Sequence, residues 1–382
     1  MSLTPGKQER FHFLDGLRAV AASMVVIHHS FTSNVVRFFD LHHLHFIGFL
    51  FTRFFSFGVN LFFVLSGVVL LRPYLRGFRK FKVPEYFYRR FTRIYPPYFA
   101  ALIFGAFVIW FINVYPTWYN EKGIHMQFTW LETFKEMGIV SFNQSYYNLA
   151  WWSLGVEVVF YLCVPFIILS YPTRARLTDG RLVITIIGGL AVAVLLQVIF
   201  NKYLPSVYSN KQVMTNSVLV IEYVVCFLMG ILIAAKDFSM KYARAFFIGG
   251  VLLACCESFY VPLIHSAYGL IFAAVIIFAF NARWFKVLLS KPFMIWLGER
   301  SYSLFLVHFS VFYLVDNTVA RFTSERNGLY AILTRGIGLP LALFAAMLLF
   351  HFVEKKTARG LLTGNMFWPW QTGALKQLEK EL

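Results

Sequence analysis

About ten runs of roughly 20 mostly apolar residues follow one another along the chain, the length an α-helix needs to cross ~30 Å of hydrocarbon. They fall near 14 to 36, 47 to 71, 92 to 114, 150 to 171, 182 to 200, 217 to 235, 246 to 262, 265 to 281, 292 to 316 and 329 to 351. The pattern predicts an all-α integral membrane protein. The polar stretches between the runs differ in charge. With the N-terminus placed in the cytoplasm, the cytoplasmic segments collect Lys7 and Arg10, then Arg72, Arg76, Arg79, Lys80, Lys82, Arg89, Arg90 and Arg93, and finally Lys355 and Lys356 after the last run. The segments facing the other side are poorer in cations, so both termini are expected inside.

Composition supports this reading. The chain of 382 residues is 59% hydrophobic and contains 45 Phe, whereas soluble domains hold about 45–50% apolar residues. No short apolar run with a small-residue cleavage site precedes the first span, so no removable signal peptide is expected. The net charge of +17 is spread over short loops at one membrane face. Positive-inside sorting and contact with anionic lipid account for it, and nucleic acid is not expected as a partner. Cys163, Cys226, Cys255 and Cys256 lie within apolar runs at no paired spacing, which predicts packing rather than disulfides or a metal site. The outer loop near 115 to 149 is rich in Tyr, Trp and Asn, suited to interfacial anchoring or to stacking on a sugar.

Ionisable residues inside such runs are costly and mark candidate sites. The first run, FLDGLRAVAASMVVIHHS, carries Arg18 and, eleven residues on, His29. That spacing is about three turns, so the two side chains share one helix face ~16 Å apart along its axis. An Arg at the helix mouth can hold phosphate, and a His deeper in can take a proton. The alternative is an arginine that snorkels to the interface and a satisfied interior histidine. His28 points ~80° off that face.

The stretch between the second and third runs contains ArgxxArg twice, as Arg76 with Arg79 and as Arg90 with Arg93. The second pair is expected to open a helix, where its side chains would share a face and could grip a phosphate; a lipid-facing basic patch is the alternative. Glu157 is the acid in WWSLGVEVVFYL, and a buried carboxylate needs a partner or a proton. A cation such as Arg18 or Arg93 would make it structural, and a histidine would make it part of a relay. Ser66 and Gly67 in FFVLSG allow either close helix approach or backbone access to a ligand. Glu299 and Arg300 sit at a membrane edge, and His308 lies about two turns further in. No phosphate-binding glycine loop, HisGluxxHis or GlyxSerxGly occurs.

Taken in order, LDGLRAVAA with its Arg-x10-His spacing, FFVLSG, RRFTRIYP, WSLGVEVVFYL and SYSLFLVH resemble the membrane acyltransferase 3 family, bacterial inner-membrane enzymes that usually O-acetylate glycans and other hydroxylated acceptors. The resemblance covers about 11 to 355 as one transmembrane domain, leaving 356 to 382 as a short cytoplasmic tail. It implies a catalytic His29, an essential Arg18, and Arg90 and Arg93 serving the acyl donor. Val158 and Val159 depart from it, because the family commonly places polar groups after the acid.

The combined expectation is an O-acetyltransferase. It would draw acetyl-coenzyme A from the cytoplasm and acetylate a membrane-presented glycan, a lipid-linked precursor or another hydroxylated acceptor, in contact with membrane lipid and without a metal. Expected catalytic residues are His29, Arg18 and Glu157; expected donor-binding residues are Arg18, Arg90, Arg93 and Ser66. His29 would act as general base or carry a transient acetyl group. The competing class is a glycan or lipid transporter, in which Arg18, Glu157 and His29 line a path.

Overall fold

The computed structural model describes residues 11–30, 53–117, 128–138, 147–170, 216–255, 264–323 and 328–357, with scattered positions at 43, 46, 48, 184, 188, 189, 191, 192 and 195. Among the described residues there are helices and no strands. In chain order the helices are α1 (His12–Ser30), α2 (Gly58–Leu75), α3 (Val83–Val114), α4 (Trp130–Glu136), α5 (Trp152–Ser170), α6 (Asn216–Ala235), α7 (Met240–Cys255), α8 (Ile264–Asn281), α9 (Arg283–Leu289), α10 (Pro292–Glu299), α11 (Ser301–Val319) and α12 (Gly328–Leu349). A π turn, Phe350–Glu354, prolongs α12.

Five segments are long and apolar enough to cross a membrane: Phe55–Leu75, Val83–Val114, Trp152–Leu169, Ile264–Asn281 and Leu333–Thr357. The run expected at 182 to 200 lies largely outside the described residues. Helices α1 and α11 are less apolar because they carry polar groups: Asp15, Arg18, His28 and His29 on one, His308, Asp316 and Asn317 on the other. Both have interior surroundings. Helix α11 packs against α1, α3, α10 and α12, and most of its side chains are buried.

The outward faces are apolar. Leu162, Phe166 and Leu169 form an exposed stripe along α5, and Ile337, Leu341, Phe344 and Leu348 form one along α12. Spacings of three and four residues put each stripe on a single helix face, and surface of this kind requires lipid rather than water. Cys163 and Cys255 also lie on the exposed surface, whereas Cys226 is buried as expected.

Two boundaries differ from the sequence reading for identifiable reasons. Helix α3 begins at Val83, not near 92, so Arg90 and Arg93 lie two turns and more inside it instead of opening it. Proline in the first turn, Glu85 near the N-terminus and the Glu85–Arg89 pair four residues apart at 2.7 Å support helix where the cations suggested loop. The run expected at 292 to 316 is two helices separated at Arg300. That guanidinium donates to the Trp296 carbonyl at 2.8 Å and lies 4.6 Å from the centroids of both the Trp296 and the Phe350 rings. In the stretch expected as an outer loop, Tyr147 is buried with its hydroxyl 2.9 Å from the Thr129 carbonyl, while Trp130, Leu131 and Phe134 of α4 are exposed.

Two close approaches fix α1. A Cβ at Gly16 would strike the Leu289 carbonyl at the end of α9, and one at Gly298 in α10 would strike the Asp15 carbonyl. The turn just before Arg18 is thereby clamped to the α9–α10 corner.

Candidate functional site

Five of the six expected site residues line one cavity. An empty volume of about 860 Å³ is bounded by Arg18 of α1, Ser66 of α2, Arg90 and Arg93 of α3, and Glu157 of α5, with Tyr161 and Tyr302 completing its polar wall. Val59, Phe62, Val69 and Phe305 supply an apolar flank. Three guanidinium groups and one carboxylate line the cavity, with Glu354 and Asp15 acting on Arg18 from behind the wall, so the lining itself is predominantly cationic within an apolar bundle. Glu157 accepts hydrogen bonds from Ser66 at 3.2 Å and from the Tyr161 hydroxyl, and it interacts electrostatically with Arg18. Of the two roles open to Glu157, the geometry gives it hydroxyl and arginine partners rather than a histidine.

The two ArgxxArg pairs part company. Arg72 and Arg76 bond Asp237 at 3.2 and 2.8 Å, and Arg76 also donates to the last-turn carbonyl of Ala234 in α6 at 3.0 Å. Arg79 and Arg89 share Glu85 at 2.6 and 2.7 Å. These cations serve ion pairs and a helix cap. Arg90 and Arg93 instead line the cavity. The Arg90 guanidinium stands 5.8 Å from both the Tyr86 and the Tyr161 ring centroids. Its buried Nε finds no hydrogen-bond partner among the described residues. An unsatisfied buried guanidinium N–H is costly, and an anionic ligand oxygen would satisfy it.

Ser66 and Gly67, one residue apart, do different things. Ser66 faces the cavity, while Gly67 meets Gly230 of α6, where an added Cβ would come within 2.8 Å of the facing Cα. Helix contact and ligand access both occur, on faces of α2 about 100° apart.

Glu354 is a buried acid that the sequence reading did not single out. It accepts from Ser303 at 2.6 Å and interacts with Arg93 and Arg18. Eight residues after buried Ala346, a regular helix would leave it about 80° off the inward face; the wider π turn takes up that angle. A lone acid at the close of an apolar run was the available signal, masked by the adjoining Lys355 and Lys356.

His29 does not line the cavity. It lies at the far end of α1, half-buried, with Nδ1 3.0 Å from Nε2 of His308. The two rings meet edge to edge, centroids 5.2 Å apart and planes within 22° of each other, and Phe309 meets His29 edge-on at 6.0 Å. Phe305 connects the two places: it flanks the cavity, and its ring centroid is 6.0 Å from that of His308. Because α1 is one continuous helix, Arg18 at the cavity and His29 beyond it keep the ~16 Å spacing set by their eleven-residue separation. Among the described residues no cluster of three or more His, Cys, Asp or Glu could hold a metal.

A family model described as "Acyltransferase domain", of the acyltransferase 3 type, matches residues 11–352. No curated protein and no solved structure matches the chain.

Proposed function

Since the chain belongs to the acyltransferase 3 family and is a multi-pass membrane acyltransferase, we propose that it moves an acetyl group from cytoplasmic acetyl-coenzyme A to a hydroxyl of a membrane-presented acceptor. The acceptor would be a cell-surface glycan or its lipid-linked precursor, and the site a bacterial inner membrane crossed about ten times with both termini inside. The observation that carries the proposal is the cavity in which Arg18, Arg90 and Arg93 converge against Glu157. Phosphate groups are the ligands such a surplus of guanidinium fits, and coenzyme A carries phosphates at one end and a thioester at the end of a long flexible arm.

In this reading the arginines hold the phosphates, and the arm runs along Val59, Phe62 and Val69 toward Phe305 and the histidines. His29 accepts the proton of the acceptor hydroxyl as its oxygen bonds to the thioester carbonyl carbon. The carbon–sulfur bond then breaks, and the departing thiolate takes the proton back, releasing coenzyme A as the free thiol and His29 neutral. General-base catalysis of this kind contributes about 10²- to 10⁴-fold. Glu157 and Glu354 balance the buried arginines and keep them in place between turnovers.

Proteoliposomes supplied with acetyl-labelled acetyl-coenzyme A and membrane glycan lipids test this. Label is expected to enter the glycan fraction with wild-type protein, to be absent with His29→Ala, and to persist at a substantial level with His28→Ala. Movement of glycan lipid across the bilayer without acetyl incorporation would overturn the proposal in favour of transport.

A further inference from the structure

His308 is buried, 0% exposed, and the reaction described above does not use it. Its Nδ1 lies 2.8 Å from the carbonyl oxygen of Phe305 and 3.1 Å from that of Leu304. A carbonyl oxygen can only accept, so the nitrogen facing it carries the proton. In a neutral imidazole that leaves Nε2 of His308 with a lone pair. This Nε2 is the atom 3.0 Å from Nδ1 of His29. If His29 carried its proton on Nε2, two lone pairs would face each other at that distance. With the proton on Nδ1, the contact is a hydrogen bond donated to His308.

We propose that His308 is a positioning residue that holds His29 in the Nδ1–H tautomer, so that Nε2 of His29 is the nitrogen which takes the acceptor's proton. This rests on the reading of His29 as the base and deepens it. The chain of donors runs one way, from His29 Nδ1–H to His308 Nε2 and from His308 Nδ1–H to the backbone of α11. Free histidine favours the opposite tautomer, with the proton on Nε2, so the preference at His29 has to be imposed by its neighbour. When His29 gains a proton on Nε2, its Nδ1–H bond to His308 becomes charge-assisted and shortens, favouring the charged state in which the acceptor oxygen attacks. The device resembles the orienting partner of a catalytic triad in what it does, with an imidazole anchored to a backbone carbonyl in place of a carboxylate. Phe309, edge-on to His29, limits the ring's rotation out of this alignment.

The test reads the tautomer itself. Full-length protein labelled with ¹⁵N-histidine, reconstituted in bilayers and studied by solid-state NMR at a pH where both rings are neutral, is expected to show His29 with a protonated Nδ1 and a bare Nε2. The His29→Ala and His308→Phe spectra assign the signals. In His308→Phe the His29 proton should move to Nε2, with turnover falling about tenfold or more while KM for acetyl-coenzyme A is unchanged. His308→Gln, whose side-chain oxygen can accept from Nδ1–H, should restore the wild-type tautomer and much of the turnover. A wild-type His29 protonated on Nε2, or a His29 tautomer unmoved in His308→Phe, overturns the proposal; should the Phe variant fail to fold, the wild-type and Gln spectra decide alone. The spectra need no turnover. A His29 tautomer as stated in a protein that transfers no acetyl group would leave the positioning role standing and defeat the proposed reaction.

Discussion

At the residue scale, an arginine earns a place in the site by what it lacks. Arg72, Arg76, Arg79 and Arg89 have carboxylates beside them, whereas Arg90, with a buried Nε that like that of Arg72 lacks a partner, has no carboxylate in ion-pair contact among the described residues and lines the cavity. Lysine at position 90 or 93 would keep the charge but lose the planar fork that binds phosphate through two parallel N–H groups. Each of Arg90→Lys and Arg93→Lys is therefore expected to weaken coenzyme A binding by about tenfold, ~1.4 kcal/mol, with a smaller loss in kcat. Calorimetry on detergent-purified protein, alongside steady-state kinetics, checks this. Unchanged coenzyme affinity in the double variant would assign the pair to lipid contact. The contrast also shows what the sequence made legible. A charge inside an apolar run is visible as an anomaly, which is why Arg18 and Glu157 stood out, while Arg90 and Arg93 stood out by their spacing in a basic stretch. The partner of a charge is not visible: Asp237 neutralising Arg76, or Glu354 reaching Arg18 from the far end of the chain, depends on which helices meet.

At the element scale, continuity of α1 gives the spacing of Arg18 and His29 its consequence. The run's periodicity was sufficient to predict that both side chains share a face, and one unbroken helix spans them. Other elements were less legible. The start of α3 was hidden because its three cations, Arg89, Arg90 and Arg93, read as a continuation of the basic loop, and the break at Arg300 because apolar sequence continues on both sides of it. The inward turn of Glu354 needed a π turn that no 3.6-residue pattern announces. The spacing in α1 is testable as an element. Inserting one alanine between Ala22 and Ser23 rotates His29 by ~100° relative to Arg18 and lengthens the separation by only ~1.5 Å. The α1 residues of the clamp, Asp15 and Gly16, lie before the insertion and keep their contacts with Gly298 and Leu289. Coenzyme binding should therefore persist while transfer is lost. Four alanines, which restore facing to within ~40° but add ~6 Å, should also fail. Normal transfer by the single-insertion protein would show that Arg18 and His29 do not act on one donor molecule.

At the scale of the whole molecule, the question is which side of the membrane the cavity serves. Its basic end lies at the C-terminal end of α2 and the first turns of α3, beside the exposed Lys80 of the connecting segment. His29 and His308 lie toward the opposite side, where Asn148 and Trp151 donate to the Leu306 carbonyl of α11 at 2.9 and 3.2 Å. If positive-inside sorting sets the orientation, the phosphate-holding end faces the cytoplasm, where acetyl-coenzyme A is made. The histidine pair then faces the side on which a surface glycan is presented. That arrangement gives a division of labour that neither end supplies alone: a polar donor is taken from one compartment, and only its acyl group needs to travel the depth of the bundle. It also makes a decisive measurement possible. In a variant with Cys163, Cys226, Cys255 and Cys256 replaced by serine, Lys80→Cys should react with a membrane-impermeant maleimide only after inner-membrane permeabilisation. Lys135→Cys, an exposed polar position of α4, should react in intact spheroplasts. Reversal of the two would place the arginine cavity outside, beyond reach of cytoplasmic acetyl-coenzyme A. The donor would then have to be a phosphorylated acyl carrier on the other side of the membrane, whatever the affinity of the isolated protein for coenzyme A.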